Sequence, residues 1–150
     1  MSKKKILILN GPNLNMLDRR DPKIYGDGTL KKAEADCKQL AKELGLEIEF
    51  KQSNFEGDIV EQIQTAIDKF DGIIINAAAY THTSIAIRDA LEMFSGAKVE
   101  LHISNIFKRE EFRQNSFLSD VVDAIISGFG IDGYTLALLG INSLIEDKSL

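Results

Sequence analysis

Lys5-Ile6-Leu7-Ile8-Leu9 is a short uninterrupted apolar run that stops at Asn10-Gly11-Pro12, where glycine and proline break any regular element. A run of this length without polar alternation reads as a strand covered on both faces, the habit of a parallel sheet. After a polar stretch over 13–28, apolar residues at Leu30, Ala33, Cys37, Leu40, Ala41 and Leu44 follow helical spacing and end at Gly45. Strand, loop and helix make one unit, and the unit recurs. Leu46, Ile48 and Phe50 alternate as a strand, 52–57 is a polar loop, and Asp58 with Glu61 has the form of a capping box opening a helix through Ile59, Ile63, Ala66, Ile67 and Phe70. Gly72-Ile73-Ile74-Ile75 predicts a third strand, followed by a long loop to Ser84 and a helix through Ala86, Ala90, Leu91 and Phe94. A fourth strand is expected over 98–103, and the segment 104–116 after it is polar. Residues 124–127 read as a fifth strand or as the continuation of a helix begun near Ser119, and Tyr134, Leu138, Ile141 and Ile145 mark a last helix.

Strands alternating with helices predict an α/β domain in which right-handed crossovers return the chain to a parallel sheet. Five strands fit a doubly wound, flavodoxin-like sheet of order 2-1-3-4-5, one domain over residues 1–150. Composition narrows the function. The 18 basic and 23 acidic residues give a net charge of −5, with lysines dispersed, which argues against nucleic acid. No apolar run approaches the ~20 residues of a membrane span. The basic N-terminus is followed by only Ile6 to Leu9, too short for a signal-peptide core, so a cytoplasmic protein is expected. The sole cysteine, Cys37, cannot form an intramolecular bridge and reads as a buried thiol in a reducing compartment.

In such a sheet, ligands bind beyond the carboxyl ends of the strands. Asn10, Asn13 and Asn15 fall there after strand 1, Gln52, Ser53 and Asn54 after strand 2, and Asn76 with residues 80–84 after strand 3. Glu100, His102, Ser104 and Asn105 mark the end of strand 4. Each cluster alone is ordinary turn chemistry, but together they suggest a polar pocket. Glu100 and His102, two apart in a strand, share a face, so the carboxylate can orient the imidazole and favour its protonated form for proton donation. The stretch 13–28 lacks helical or strand periodicity and reads as a lid loop, centred on 18–28. Within it Tyr25 is flanked by basic residues, and a phenol paired with arginine can act as a general base. Arg109 and Arg113 suit bidentate recognition of a carboxylate, or simply form a solvated charged face. Two histidines without neighbouring cysteine make a weak ligand set, and no metal is expected. Ser84 lacks a G-x-S-x-G elbow and reads as a helix cap rather than a nucleophile, and no phosphate-binding glycine loop is present.

Taken in order, Leu9-Asn10-Gly11-Pro12-Asn13-Leu14-Asn15-Met16-Leu17, Arg20-Asp21-Pro22, Ile24-Tyr25-Gly26, Gln52-Ser53-Asn54, Asn76 with Ala79-Tyr80-Thr81-His82-Thr83-Ser84, and residues 100–105 resemble type II 3-dehydroquinate dehydratase across nearly the whole chain. The resemblance implies a flavodoxin-like enzyme that dehydrates 3-dehydroquinate to 3-dehydroshikimate by anti elimination through an enolate, without metal, cofactor or Schiff base. It implies that Tyr25, as tyrosinate, takes the proton alpha to the ketone, that Arg20 stabilises its charge, and that His102, held by Glu100, protonates the departing hydroxyl. Asn13 would hold the water or carbonyl oxygen that stabilises the enolate. Asn76, His82 and Arg113 would bind substrate hydroxyls and carboxylate, with Ser104 and the Ile103 backbone gripping the carboxylate and Arg109 contacting the lid. Asp89 matches a position that reaches a neighbouring subunit's site in the family's trimers, and the family assembles typically as a dodecamer, a tetramer of trimers. The reaction serves the shikimate pathway of aromatic amino acid biosynthesis, or quinate breakdown by the same elimination. A non-catalytic flavodoxin-like binding domain is the rival from another class.

The chain departs from the family's usual pattern in places. Ala77 and Ala78 stand where proline and glycine are common, Asp18-Arg19 where Gly-Thr is common, and Phe55, Phe107 and Phe117 where His or Tyr is frequent. If the glycine serves a positive φ, alanine is strained at 78.

Overall fold

In the computed structural model, which describes residues 2–148, the N-terminal apolar run is strand β1 (Lys5–Asn10), buried at every position from Ile6. It pairs in parallel with β2 (Glu47–Gln52) on one side and β3 (Gly72–Asn76) on the other, and β4 (Ala97–His102) and β5 (Ala124–Ser127) extend the sheet beyond β3. The order is β2-β1-β3-β4-β5, as the strand and helix alternation predicts.

Side chains alternate across the sheet, so consecutive residues of β1 feed two separate cores. Ile6 and Ile8 with Ile74 face one layer, formed by α2 (Leu30–Leu44) and α5 (Asp132–Lys148). Leu7 and Leu9 with Ile73 and Ile75 face the other, formed by α3 (Glu56–Ala66) and α4 (Ile85–Met93). Each fully buried Ile or Leu contributes about 1.5–3 kcal/mol relative to exposure, and the buried stretches Ile6 to Leu9 and Ile73 to Ile75 carry no polar residue before Asn10 and Asn76. Helix ends follow local chemistry. Thr29 Oγ1 accepts from Lys32 N at 3.1 Å to start α2, which stops at Gly45 with φ 71°. Ser84 Oγ accepts from Ile87 N at 2.9 Å, the expected cap. Among the described residues no helix is long and apolar enough to cross a membrane.

Several local expectations are corrected. The stretch 13–28 is not structureless: it holds a 3-10 turn over Leu14–Arg19 and one helical turn, α1 (Pro22–Tyr25). Both are too short for periodicity to register, yet they bury Leu14, Leu17 and Tyr25. Asp58 and Glu61 do not form a capping box, because α3 already begins at Glu56, and Ser53 Oγ instead accepts from Phe55 N at 3.0 Å. The same helix ends at Ala66, since Asp68 takes a left-handed φ of 66° that no helix can continue. In α4 the buried stripe is Ile87, Ala90, Leu91 and then Phe94, leaving Ala86 exposed. Residues 124–127 are a strand, and the segment near Ser119 is only a 3-10 turn.

Candidate active site

The strand order reverses between β1 and β3, whose last residues, Asn10 and Asn76, are register partners. Loops leaving a sheet at this point diverge to opposite sides and open a crevice. Here they line a cleft of about 110 Å³. The two loops touch at their root: Gly11 N donates to Asn76 O at 2.8 Å, and a Cβ at Gly11 would lie 2.4 Å from the Ala77 carbonyl oxygen. Only glycine permits that approach.

The first loop brings Asn13, Arg20 and Tyr25 to the cleft. Asp21 caps α1, accepting from Lys23 N at 2.9 Å, with Pro22 pre-set at the first helical position, and this turn drives Tyr25 inward to 8% exposure. Arg20 Nη2 donates to the Tyr25 hydroxyl while its Cζ lies 4.0 Å from the ring centroid. Arg109 adds a second guanidinium 5.0 Å from the same centroid. Negative charge arising on that phenol oxygen would therefore meet a hydrogen-bonded cation at once. Asn13 adopts a left-handed φ of 69°, tolerated by asparagine, and its backbone N–H donates to Asn54 Oδ1 at 3.0 Å.

On the far side, His102 Nε2 donates to Glu100 Oε2, both side chains buried. Ser116 Oγ donates to Glu100 Oε2 at 2.9 Å and Ser119 Oγ to Oε1 at 2.6 Å. Burial pushes the Glu100 carboxyl up, but hydrogen bonding and charge from His102, with donation from the two serines, outweigh it and hold the group below its ordinary value. His82 stacks against His102 with centroids 6.5 Å apart, and its Nδ1–H donates to the Asn115 carbonyl at 2.8 Å. Desolvation lowers His82, the Asn115 bond opposes this, and the charges of His102 and Arg113 lower it further, favouring the neutral ring.

Asn76, Ile103 and Ser104 also face the cleft, as do Arg109 and Arg113. Arg109 Nη1 donates to Ser104 Oγ at 3.4 Å, and its buried Nε, with no hydrogen-bond partner among the described residues, lies 3.8 Å from Glu110 Oε1. Arg113 Nε is held by Glu110 Oε2 at 2.8 Å. Of the candidate residues, Glu100 stands behind His102 rather than in the cleft wall, and Asp89 lies on the exposed face of α4, away from the cleft of its own chain. The strand-2 loop is a brace instead of a lining. Gln52 Nε2 donates to Gly11 O at 3.1 Å, and Tyr80 OH to Asn54 O at 2.7 Å.

Sequence reasoning overlooked three contributors, Tyr134, Ser116 and Ser119. Tyr134 is entirely buried in α5 and bonds Asn10 and Asn76, although its spacing marked it only as an apolar helix position. A tyrosine on a buried stripe needs a polar partner, which was the available signal. The serines lay in and beyond a segment read only as polar, yet a buried strand carboxylate demands donors. Cys37 is buried with its thiol pushed up to about 12, by desolvation first and Asp36 second. No group of three or more His, Cys, Asp or Glu side chains among the described residues could hold a metal ion.

Known proteins share the sequence and the fold of this chain. Residues 4–142 match the family model described as dehydroquinase class II. The 3-dehydroquinate dehydratase of Bartonella henselae is 59% identical over 133 residues, covering 89% of this chain and 90% of that protein. The crystal structure of type II dehydroquinase from Butyrivibrio crossotus superposes with a TM-score of 0.91 at 44% identity, covering 93% of this chain and 98% of that one. That from Propionibacterium acnes gives 0.88 at 42% identity, covering 97% and 98%. A model match of this extent, joined to a fold and strand order shared with solved members, means that the chain belongs to the dehydroquinase class II family.

Proposed function

We propose that this enzyme removes water from 3-dehydroquinate by anti elimination, giving 3-dehydroshikimate through an enolate. The observation that carries the reading is the pairing of two proton-handling groups with opposite partners on one cleft: Arg20 on Tyr25, and Glu100 on His102. An elimination needs a base and an acid on one substrate, and Tyr25 and His102, each with its own partner, line the same cleft. Tyr25, ionised beside Arg20, takes the proton alpha to the ketone, and Arg20 with Arg109 stabilises the charge. The enolate oxygen is held through Asn13. His102, with Nε2 engaged by Glu100, delivers a proton from Nδ1 to the hydroxyl as its carbon–oxygen bond breaks, so that water leaves.

Arg113, Ser104 and the Ile103 backbone hold the substrate carboxylate, and Asn76 and His82 its hydroxyls. Asp89, exposed on α4, is free to reach a neighbouring subunit's cleft in a trimer, with four trimers forming a dodecamer. A cytoplasmic role in the shikimate pathway, supplying aromatic amino acids, is the physiological reading, with quinate breakdown using the same chemistry. The resemblance in chain motifs supports the absence of any cofactor from the mechanism.

Ultraviolet absorbance of the conjugated product, followed after adding 3-dehydroquinate to the purified chain, tests the reading. Tyr25→Phe is expected to keep binding and lose most turnover. A wild-type rate in that variant defeats the assignment, and a lysine adduct trapped by borohydride would replace it with Schiff-base chemistry.

A further inference from the structure

Beneath the cleft floor four hydrogen bonds run in series from the second strand, through the first, to the loop after the third. Asn10 Nδ2 donates to the Lys51 carbonyl at 3.0 Å, Tyr134 OH donates to Asn10 Oδ1 at 2.6 Å, Asn76 Nδ2 donates to Tyr134 OH at 3.1 Å, and Ala78 N donates to Asn76 Oδ1 at 3.2 Å. Each link has only one polarity. The Lys51 carbonyl can only accept, so the Asn10 amide must turn its nitrogen there and its oxygen towards Tyr134. That oxygen can only accept, so it takes the single phenol hydrogen. The phenol oxygen is then left to accept from Asn76, whose own oxygen meets the Ala78 N–H. Backbone groups anchor both ends, and Asn10, Asn76 and Tyr134 are all 3% exposed or less. Burial pushes the Tyr134 phenol up, against the opposing Asn76 bond, so it stays a neutral donor. The Asn76 amide keeps one hydrogen and one lone pair for the cleft that it lines.

We propose that Tyr134 is a positioning residue: its hydroxyl, together with the Ala78 N–H, clamps the plane of the Asn76 amide that meets the substrate. The inference rests on the reading of Asn76 as a substrate contact. Without the hydroxyl, the Asn76 nitrogen loses its side-chain acceptor among the described residues and the amide is tethered through Oδ1 alone, by the Ala78 N–H, about which it can pivot. Grip on the substrate weakens while the base and acid remain in place.

Steady-state kinetics with 3-dehydroquinate on wild type, Tyr134→Phe, Asn76→Ala and the double variant, each checked by thermal melting, test this. Phenylalanine keeps the ring that packs 5.7 Å from Phe50, so the change is confined to the hydroxyl. Tyr134→Phe should raise KM about tenfold with kcat within about threefold. In the Asn76→Ala background the same change should move KM by less than about twofold, because its route of action is already gone. Wild-type KM in Tyr134→Phe, an equal KM change in both backgrounds, or a loss confined to kcat overturns the proposal. If Tyr134→Phe does not fold, Asn10→Ala decides: it removes the acceptor of the phenol hydrogen and should shift KM the same way, and unchanged kinetics there overturn the proposal equally. An inactive wild type would instead sink the underlying reaction assignment, and this inference with it.

Discussion

Ala78 sits in the left-handed region at φ 53° while its amide donates to Asn76 Oδ1 at 3.2 Å. The bond that anchors Asn76 is thus supplied from a strained alanine. The left-handed conformation costs an L-residue about 1–2 kcal/mol. Glycine removes that strain but enlarges the unfolded ensemble by about 0.4–1 kcal/mol. The first effect is larger, so Ala78→Gly should stabilise the fold by about 0.5–1 kcal/mol and raise Tm by about 1–4 °C. Thermal and urea melts check it; a lower Tm would mean that the methyl group packed against the core contributes more than the strain removes.

Glu100 makes stability depend on pH in a definite direction. Its folded-state value is held below the ordinary 4.5, since the His102 and serine bonds overcome the burial penalty. A depressed carboxylate contributes stability that is fully present above the unfolded value and is lost as pH falls through the folded one. Wild type should therefore lose stability below about pH 4.5 partly through this group. Glu100→Gln should be less stable than wild type by about 2 kcal/mol at pH 7, because the amide offers one acceptor oxygen where the buried carboxylate takes three hydrogen bonds, and the gap should narrow in acid. Urea midpoints across pH 3–7 provide the comparison, and a constant gap would contradict the sign. His82, depressed by desolvation and nearby cations, adds to acid instability in the same sense at higher pH.

The fold was legible because strands covered on both faces write themselves as apolar runs: Ile6 to Leu9 and Ile73 to Ile75 have no other economical reading. The strand order followed from how such units wind. Residues at strand ends, such as Asn76, Glu100 and His102, were legible for the same reason, since the sheet carries them to one edge. What escaped were features with no period. The turns at Leu14–Arg19 and Pro22–Tyr25 span only six and four residues, too few for a periodic pattern to show, and only the buried Leu14, Leu17 and Tyr25 betray them. Tyr134 and Ser119 escaped because their partners are 124 and 19 residues away, and one-dimensional spacing carries no trace of such pairings.

Arg20 engages Tyr25 in two ways at once, by hydrogen bond to the oxygen and by stacking of its plane 4.0 Å from the ring centroid. Lysine keeps the charge but offers a compact ammonium without the flat fork, so it can satisfy one of these contacts and not both. If the pairing serves chemistry, Arg20→Lys should lower kcat about a hundredfold, the scale of removing one charge-stabilising donor, with a smaller change in KM. Arg20 is partly exposed, so Tm should stay within about 2 °C, separating this from a folding defect. Arg109 provides the internal comparison. It lies 5.0 Å from the same centroid without bonding the hydroxyl, so Arg109→Lys should reduce kcat less than Arg20→Lys. Equal losses would mean that the summed positive field around Tyr25 matters and the single hydrogen bond does not.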